Sequence, residues 1–268
     1  MSLSLILILI ACGVLANFMS ALFGIGGGVL IVPVLSTLFP DLPFQMISAT
    51  SLTIVMGTAL INLSYFYRQK IAINYKAMLV WSVGMLIGVQ LGFESSFFLA
   101  KPIIIGVFIG TLVLLAIRTL FFTKLAKNTE KPTACELPKG AFLCFLGGSV
   151  AGMTGIGGGS VMAPLIAQLR CVQPKQIAVY SNYMMVIGGL GSLYGYLTKT
   201  PELQLPNSWQ IGYINFSVAA LVVFSSFLTS FVSMKVKGKL QPELTRKLLG
   251  AILLIIAIYM LLLHCFSG

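Results

Sequence analysis

Charge is scarce in this chain. Only 9% of its 268 residues are Asp, Glu, Lys or Arg, and six of those are acidic. A soluble domain carries about 25% charged residues. The shortfall means that most of the surface faces lipid, so the bilayer is the first partner. The net charge of +11 does not indicate nucleic acid, because the Lys and Arg residues sit in short loops between apolar spans. That is where the positive-inside rule places them. Cysteines are few and scattered, at 12, 135, 144, 171 and 265, with no CxxC pair. Neither a metal site nor a disulfide framework is indicated. The lone His264 ends the last span and reads as an interfacial residue. Acidic residues are missing from the span interiors. Asp41, Glu94, Glu130, Glu136, Glu202 and Glu243 all lie in loops or at span ends. Cation pumps and cation channels place carboxylates inside the membrane, so a cationic substrate is disfavoured. No nucleophile–base pair, HExxH motif, cofactor motif or ATP-binding motif is found, which argues against an enzyme. The first ten residues carry no charge. They lack the basic start of a signal peptide and read as retained structure.

What is present is apolar length: 58% hydrophobic residues and a mean hydropathy of +1.00. Apolar spans run over 3–22, 29–38, 44–66, 75–93, 103–122, 140–153, 160–169, 175–198, 209–234 and 244–265. The longer ones approach the ~20 residues that cross a hydrocarbon core as a helix. Internal repetition is plain. Gly24-Ile25-Gly26-Gly27-Gly28 recurs as Gly155-Ile156-Gly157-Gly158-Gly159, and Pro33 recurs as Pro164. Further along, Ser51 matches Ser181 one residue closer. The expectation is an all-α integral membrane protein of two homologous halves, 1–122 and 140–268. A polar cytoplasmic linker, 123–139, joins them. About eight membrane helical elements follow, the first of each half broken at its glycine run.

Loop charges choose between two topologies. If each broken element crosses once, basic residues divide nine against eight between the faces. If each dips in and returns, with both termini outside, the division is fifteen cytoplasmic against two, Lys101 and Lys199. The second arrangement obeys the positive-inside rule. It leaves three full crossings per half, an odd number, which makes the repeats inverted, a common transporter plan.

Four glycines in five residues break a helix, since each costs roughly 1 kcal/mol relative to Ala. Broken backbone at membrane depth is tolerated where it is buried or lines a cavity. A half-helix follows each break, starting near Val29 and Ser160, with free N–H groups and a positive dipole end facing the break. Such an end binds anions without a charged side chain. The candidate substrate-binding residues are therefore Gly24, Gly26, Gly27, Gly28, Gly155, Gly157, Gly158 and Gly159. Thr50, Ser51, Ser181 and Asn182, at matched places on the next helix of each half, join them. Thr53, Tyr180 and Tyr183 lie beside these, and Asn17, Asn62 and Gln90 are weaker candidates. Arg118 reads as a snorkelling anchor or an anion contact.

The segments GIGGGVLIVP (24–33) and GIGGGSVMAP (155–164), each followed by a helix bearing a hydroxyl pair, resemble the sulfite exporter TauE/SafE family of bacterial permeases. The first half has the Thr50-Ser51 pair that the family favours, whereas the second has Tyr180-Ser181-Asn182. The resemblance implies a secondary transporter of small sulfur-containing anions in the bacterial inner membrane. The alternatives are an anion channel and a non-transporting scaffold subunit.

Overall fold

The computed structural model describes residues 3–23, 27–121, 136–169, 171–201, 208–237 and 242–267. Ten α-helices are found among them: α1 Leu3–Phe23, α2 Gly28–Leu38, α3 Phe44–Arg68, α4 Tyr75–Ser95, α5 Lys101–Phe121, α6 Glu136–Thr154, α7 Gly158–Ile166, α8 Pro174–Thr198, α9 Phe216–Lys237 and α10 Pro242–Ser267. A two-residue hairpin, β1 Gln210–Ile211 with β2 Ile214–Asn215, precedes α9. Among the described residues, five helices are long and apolar enough to span a bilayer. Leu, Ile and Phe side chains stand exposed along α1, α5 and α10, among them Leu7, Leu114 and Ile258. A contiguous exposed apolar surface of this kind belongs in lipid. The chain is a multi-pass, all-helical membrane protein. The linker expected at 123–139 lies largely outside the described residues.

Local sequence explains the helix starts. Asn74 caps α4 by accepting from Ala77 N at 3.1 Å, and Asn215 caps α9 by accepting from Val218 N at 3.1 Å. Gln173 and Gln176 form a reciprocal capping box, with Pro174 at the first turn of α8. Caps satisfy donors that lipid cannot.

The chain reverses at both glycine runs. Leu165 and Met162 on α7 lie against Gly147 on α6, so α7 folds back along α6. Cys171, just past α7, donates its backbone N–H to Glu136 at the start of α6 (3.1 Å). The second hairpin therefore leaves on the face where it began. In the first, Gly27 packs against Ala16, well before the end of α1. Two further contacts order the faces. Gln176 donates to the Ala72 carbonyl at 2.6 Å, joining the α3–α4 turn to the start of α8. Lys199 pairs with Glu94 at 2.6 Å, joining the end of α8 to the end of α4. A chain of simple crossings would put the partners of all three contacts on opposite faces.

Each hairpin packs against a helix of the other half. Gly84, Gly88 and Gly92 of α4 abut the backbone of Ala141, Phe145 and Ser149 of α6 in parallel register. Gly148 and Gly152 answer from the α6 side against Met85 and Val89. Small residues at a spacing of four let the two backbones close together, which drives helix association in lipid. On the other side, α1 meets α9 in the same parallel sense. There Gly13 faces Val222 and Ser225, Ser226 Oγ donates to the Gly13 carbonyl (2.9 Å), and Asn17 reaches Thr229 (3.3 Å). The equivalent helices α3 and α8 run antiparallel, with Asn62 beside Asn182 and Met56 against Gly189.

Candidate functional site

Both breaks arrive at the same place. A Cβ built on Gly28 would overlap the Ile156 carbonyl and come within 2.9 Å of Val55 Cγ2. One built on Gly157 would meet the Val55 methyls at 2.8 Å, and one on Gly158 would strike Met85 Cε. Val55 and Met85 are close to the midpoints of α3 and α4. The breaks therefore touch backbone to backbone at mid-height of the bundle. The half-helices α2 and α7 have 11 and 9 residues. At 1.5 Å per residue they span about 17 and 14 Å, roughly half of a ~30 Å hydrocarbon core.

The second break is described throughout. Gly155 has φ 71° and Gly157 φ 81°, left-handed values that favour glycine. Gly157 caps α7, whose first residues are Gly158, Gly159 and Ser160, so the helix starts two residues before the expected Ser160. Ser51 Oγ donates to the Gly155 carbonyl at 2.8 Å, and Ser48 Oγ to the Gly152 carbonyl at 3.4 Å. Both serines come from the first half and are fully buried. Ser181 Oγ donates to the Gly159 carbonyl at 3.4 Å, within its own half.

Of the first break, Gly24 and Gly26 lie outside the described residues. Gly27 adopts a right-handed helical conformation and Gly28 opens α2, one residue before the expected Val29. The approach to this break is held by a buried polar cluster: Asn62 Nδ2 donates to Ser20 Oγ at 2.8 Å and to Asn182 Oδ1 at 3.4 Å. Asn182 in turn donates to the Ala178 carbonyl at 2.7 Å.

Thr50 stands apart from its neighbour Ser51. Its Oγ1 accepts the backbone N–H of Asn215 at 3.2 Å, ahead of α9. A small cavity of about 10 Å³, room for roughly one water, lies there between Ile47, Thr50, Asn215 and Val218. Thr53 donates to its own helix at Ala49 (2.9 Å). Tyr180 faces away from the break, accepting from Asn74 N at 2.7 Å and leaning on Trp81. With the Gln168 amide oxygen turned toward it, Arg118 donates both guanidinium nitrogens there, at 3.2 and 2.7 Å. Asn215, Ser48 and Ser20 were not singled out from sequence. Asn215 alone carried a readable signal, as a capping residue before an apolar run.

The site is thus a contact between two glycine breaks, each opening into a half-helix N-terminus, packed on Val55 and Met85, with serine hydroxyls on the carbonyls of the second break and an amide cluster at the approach to the first. It holds no ionisable side chain among the described residues. Hairpins that meet at mid-height inside a lipid-facing bundle define the class as a multi-pass membrane protein. The particular family follows from comparison. The family described as sulfite exporter TauE/SafE matches residues 9–260, and the chain belongs to it. A probable membrane transporter protein of Haemophilus influenzae is 53% identical over 98% of both chains. Relatives of the same description are 27% identical in Methanocaldococcus jannaschii, over 95% of each chain, and 23% identical in Bacillus subtilis, over 96% of this chain and 95% of that one. No solved structure matches the chain.

Proposed function

We propose that this protein is a secondary transporter that moves a small sulfur-containing oxyanion, sulfite or an organosulfonate, across the bacterial inner membrane. The observation that carries the reading is the meeting of two uncharged helix breaks at mid-height. Helix N-termini there attract an anion through backbone N–H groups and dipole, and the absence of a carboxylate avoids repelling it. The description of the family names sulfite. Gly24, Gly26, Gly27 and Gly28, with Gly155, Gly157, Gly158 and Gly159, supply backbone donors. Thr50, Ser51, Ser181 and Asn182 supply side-chain hydrogen bonds.

The halves, 1–122 and 140–268, are read as inverted repeats of four elements each, counting each hairpin as one. The antiparallel pairing of α3 with α8 and the reciprocal docking of hairpins support this. The linker 123–139 then lies on the cytoplasmic face with most of the basic residues, and Lys101 and Lys199 lie outside. In the closed packing described above, Gly28 occupies the space against Ile156. Rocking of one half against the other separates that contact, frees the Ser51 hydroxyl and opens the site to one face at a time. Without an ATP-binding motif, movement follows an ion gradient or the solute's own gradient.

The test is flux in proteoliposomes. Sulfite or an organosulfonate on one side should accelerate entry of the labelled compound from the other, and the rate should saturate. Flux without saturation or exchange points to a channel. No flux of any sulfur oxyanion overturns the proposal.

A further inference from the structure

A cavity of about 210 Å³ lies under the α2–α3 turn, on the face that carries Lys101 and the Lys199–Glu94 pair. Ser36 and Thr37 line it from the end of α2, Phe44 and Ile47 from the start of α3, Lys101 from the start of α5 and His264 from the end of α10. We infer that this cavity is a vestibule that collects a small oxyanion and passes it toward the second break. The inference rests on the anion-transport reading above.

Its charge is one-sided. The described lining holds an ammonium and an imidazole and no carboxylate. Lys101 is the first residue of α5, at the positive end of the helix dipole, and no acidic residue offsets it in the first turn. A cation is disfavoured there by up to ~1 kcal/mol. The same helix end and the same ammonium both attract an anion. The lining also has a spare donor. Ser36 Oγ is buried with no hydrogen-bond partner among the described residues. Its neighbour Thr37 is fully engaged, donating to the Pro33 carbonyl at 2.9 Å and accepting from Tyr259 at 2.7 Å. Lys199, on the same face, is likewise committed, to Glu94.

A second, smaller cavity lies further along α3. Ile47 lines both the vestibule and this one-water cavity beside Thr50 and Asn215. Ser51, bonded to the Gly155 carbonyl, comes next along α3. From Phe44 to Ser51 is two helical turns, about 10 Å. The volume falls below the roughly 300–1,000 Å³ of pockets for drug-sized molecules, which suits a small ion.

The test is sulfite flux in proteoliposomes as a function of concentration. Lys101→Gln combined with His264→Gln should raise KM about fivefold to tenfold, the scale of losing one or two charge contacts near water. The maximal rate should hold within about twofold. Lys101→Arg should restore KM, and Ser36→Ala should raise it about threefold, the size of one neutral hydrogen bond. Lys199→Gln should change nothing. An unchanged KM in the double variant, with a wild-type size-exclusion profile, overturns the vestibule and leaves the transport proposal standing. So does loss of a co-purified anionic phospholipid in the double variant at unaltered KM, which would make the cavity a headgroup site. If the wild type carries no sulfur oxyanion, transport fails first, and sulfite binding to the purified protein then decides the cavity. Binding weakened by the double variant supports it, and no binding by the wild type overturns it.

Discussion

The two breaks are spelled with the same five residues, and the polar contacts described around them differ. The second is fastened from the opposite half, by Ser51 and Ser48 of α3 bonding the carbonyls of Gly155 and Gly152. The first is approached by a side-chain cluster in which Asn62 links Ser20 to Asn182. Ser181, the sequence counterpart of Ser51, bonds Gly159 of its own half. Both runs need glycine where a Cβ would strike a neighbour, at Gly27 and Gly28 in the first and at Gly155, Gly157 and Gly158 in the second. Among the described residues the matched serines bond differently. A hydroxyl has several acceptors within reach, and the two halves have settled on different ones.

The largest expected effect comes from the contact itself. Gly28→Ala pushes a methyl into the Ile156 carbonyl. Overpacking of this kind costs about 1–3 kcal/mol. It should lower thermal stability in detergent and abolish most flux. Gly106→Ala, on α5 with open space around it, should be neutral or stabilise by up to ~1 kcal/mol. Equal behaviour of the two variants would mean that the breaks do not meet.

The next comparison is Ser51→Ala against Ser181→Ala. The first leaves a buried carbonyl without its 2.8 Å donor and should cost about 1–3 kcal/mol. The second loses a longer bond, 3.4 Å, and should cost about 0.5–1 kcal/mol. Unfolding measured for both in the same detergent decides it, and the reverse order would erase the asymmetry between the halves. Smaller still is Glu94→Gln, which removes a partly exposed ion pair worth about 0.2–1 kcal/mol.

The smallest effect is chemical rather than energetic and reports on the base of the second hairpin. Burial first, then the Glu136 carboxylate, pushes the Cys171 thiol up to about 12. The reactive thiolate is therefore scarce at neutral pH and grows about tenfold per pH unit on the way up. Maleimide should modify Cys171 slowly at pH 7 and faster as pH rises, while the exposed Cys265 reacts readily. Glu136→Gln should speed the reaction at Cys171. Fast labelling in the wild type would mean that Glu136 and Cys171 are not together.

Much of this architecture is legible in the residues. Glycine runs and apolar lengths mark the breaks and place the half-helix starts within two residues of Gly28 and Gly158. Loop charges favour hairpins over crossings, and for the second hairpin the Glu136–Cys171, Gln176–Ala72 and Lys199–Glu94 contacts agree. Partners across the halves are not legible. The stripe Gly84, Gly88, Gly92 is visible as a spacing, yet only the fold says that it meets α6. Thr50 and Ser51 are adjacent, and a helix turns neighbours about 100° apart, so one reaches Asn215 and the other Gly155. Tyr180 looks like a site residue beside Ser181 and instead anchors the turn at Asn74.

The central claim is that an anion passes where the glycine breaks meet. Its most direct test is counterflow of labelled sulfite in proteoliposomes carrying the wild type or Gly157→Val. A side chain at Gly157 must fit a φ of 81° and the Val55 methyls. Saturable exchange in the wild type, and a loss of at least about a hundredfold in a variant that still inserts and runs as the wild type on size exclusion, is the expected result, equivalent to about 2.7 kcal/mol of barrier. Undiminished exchange by that variant would contradict the account.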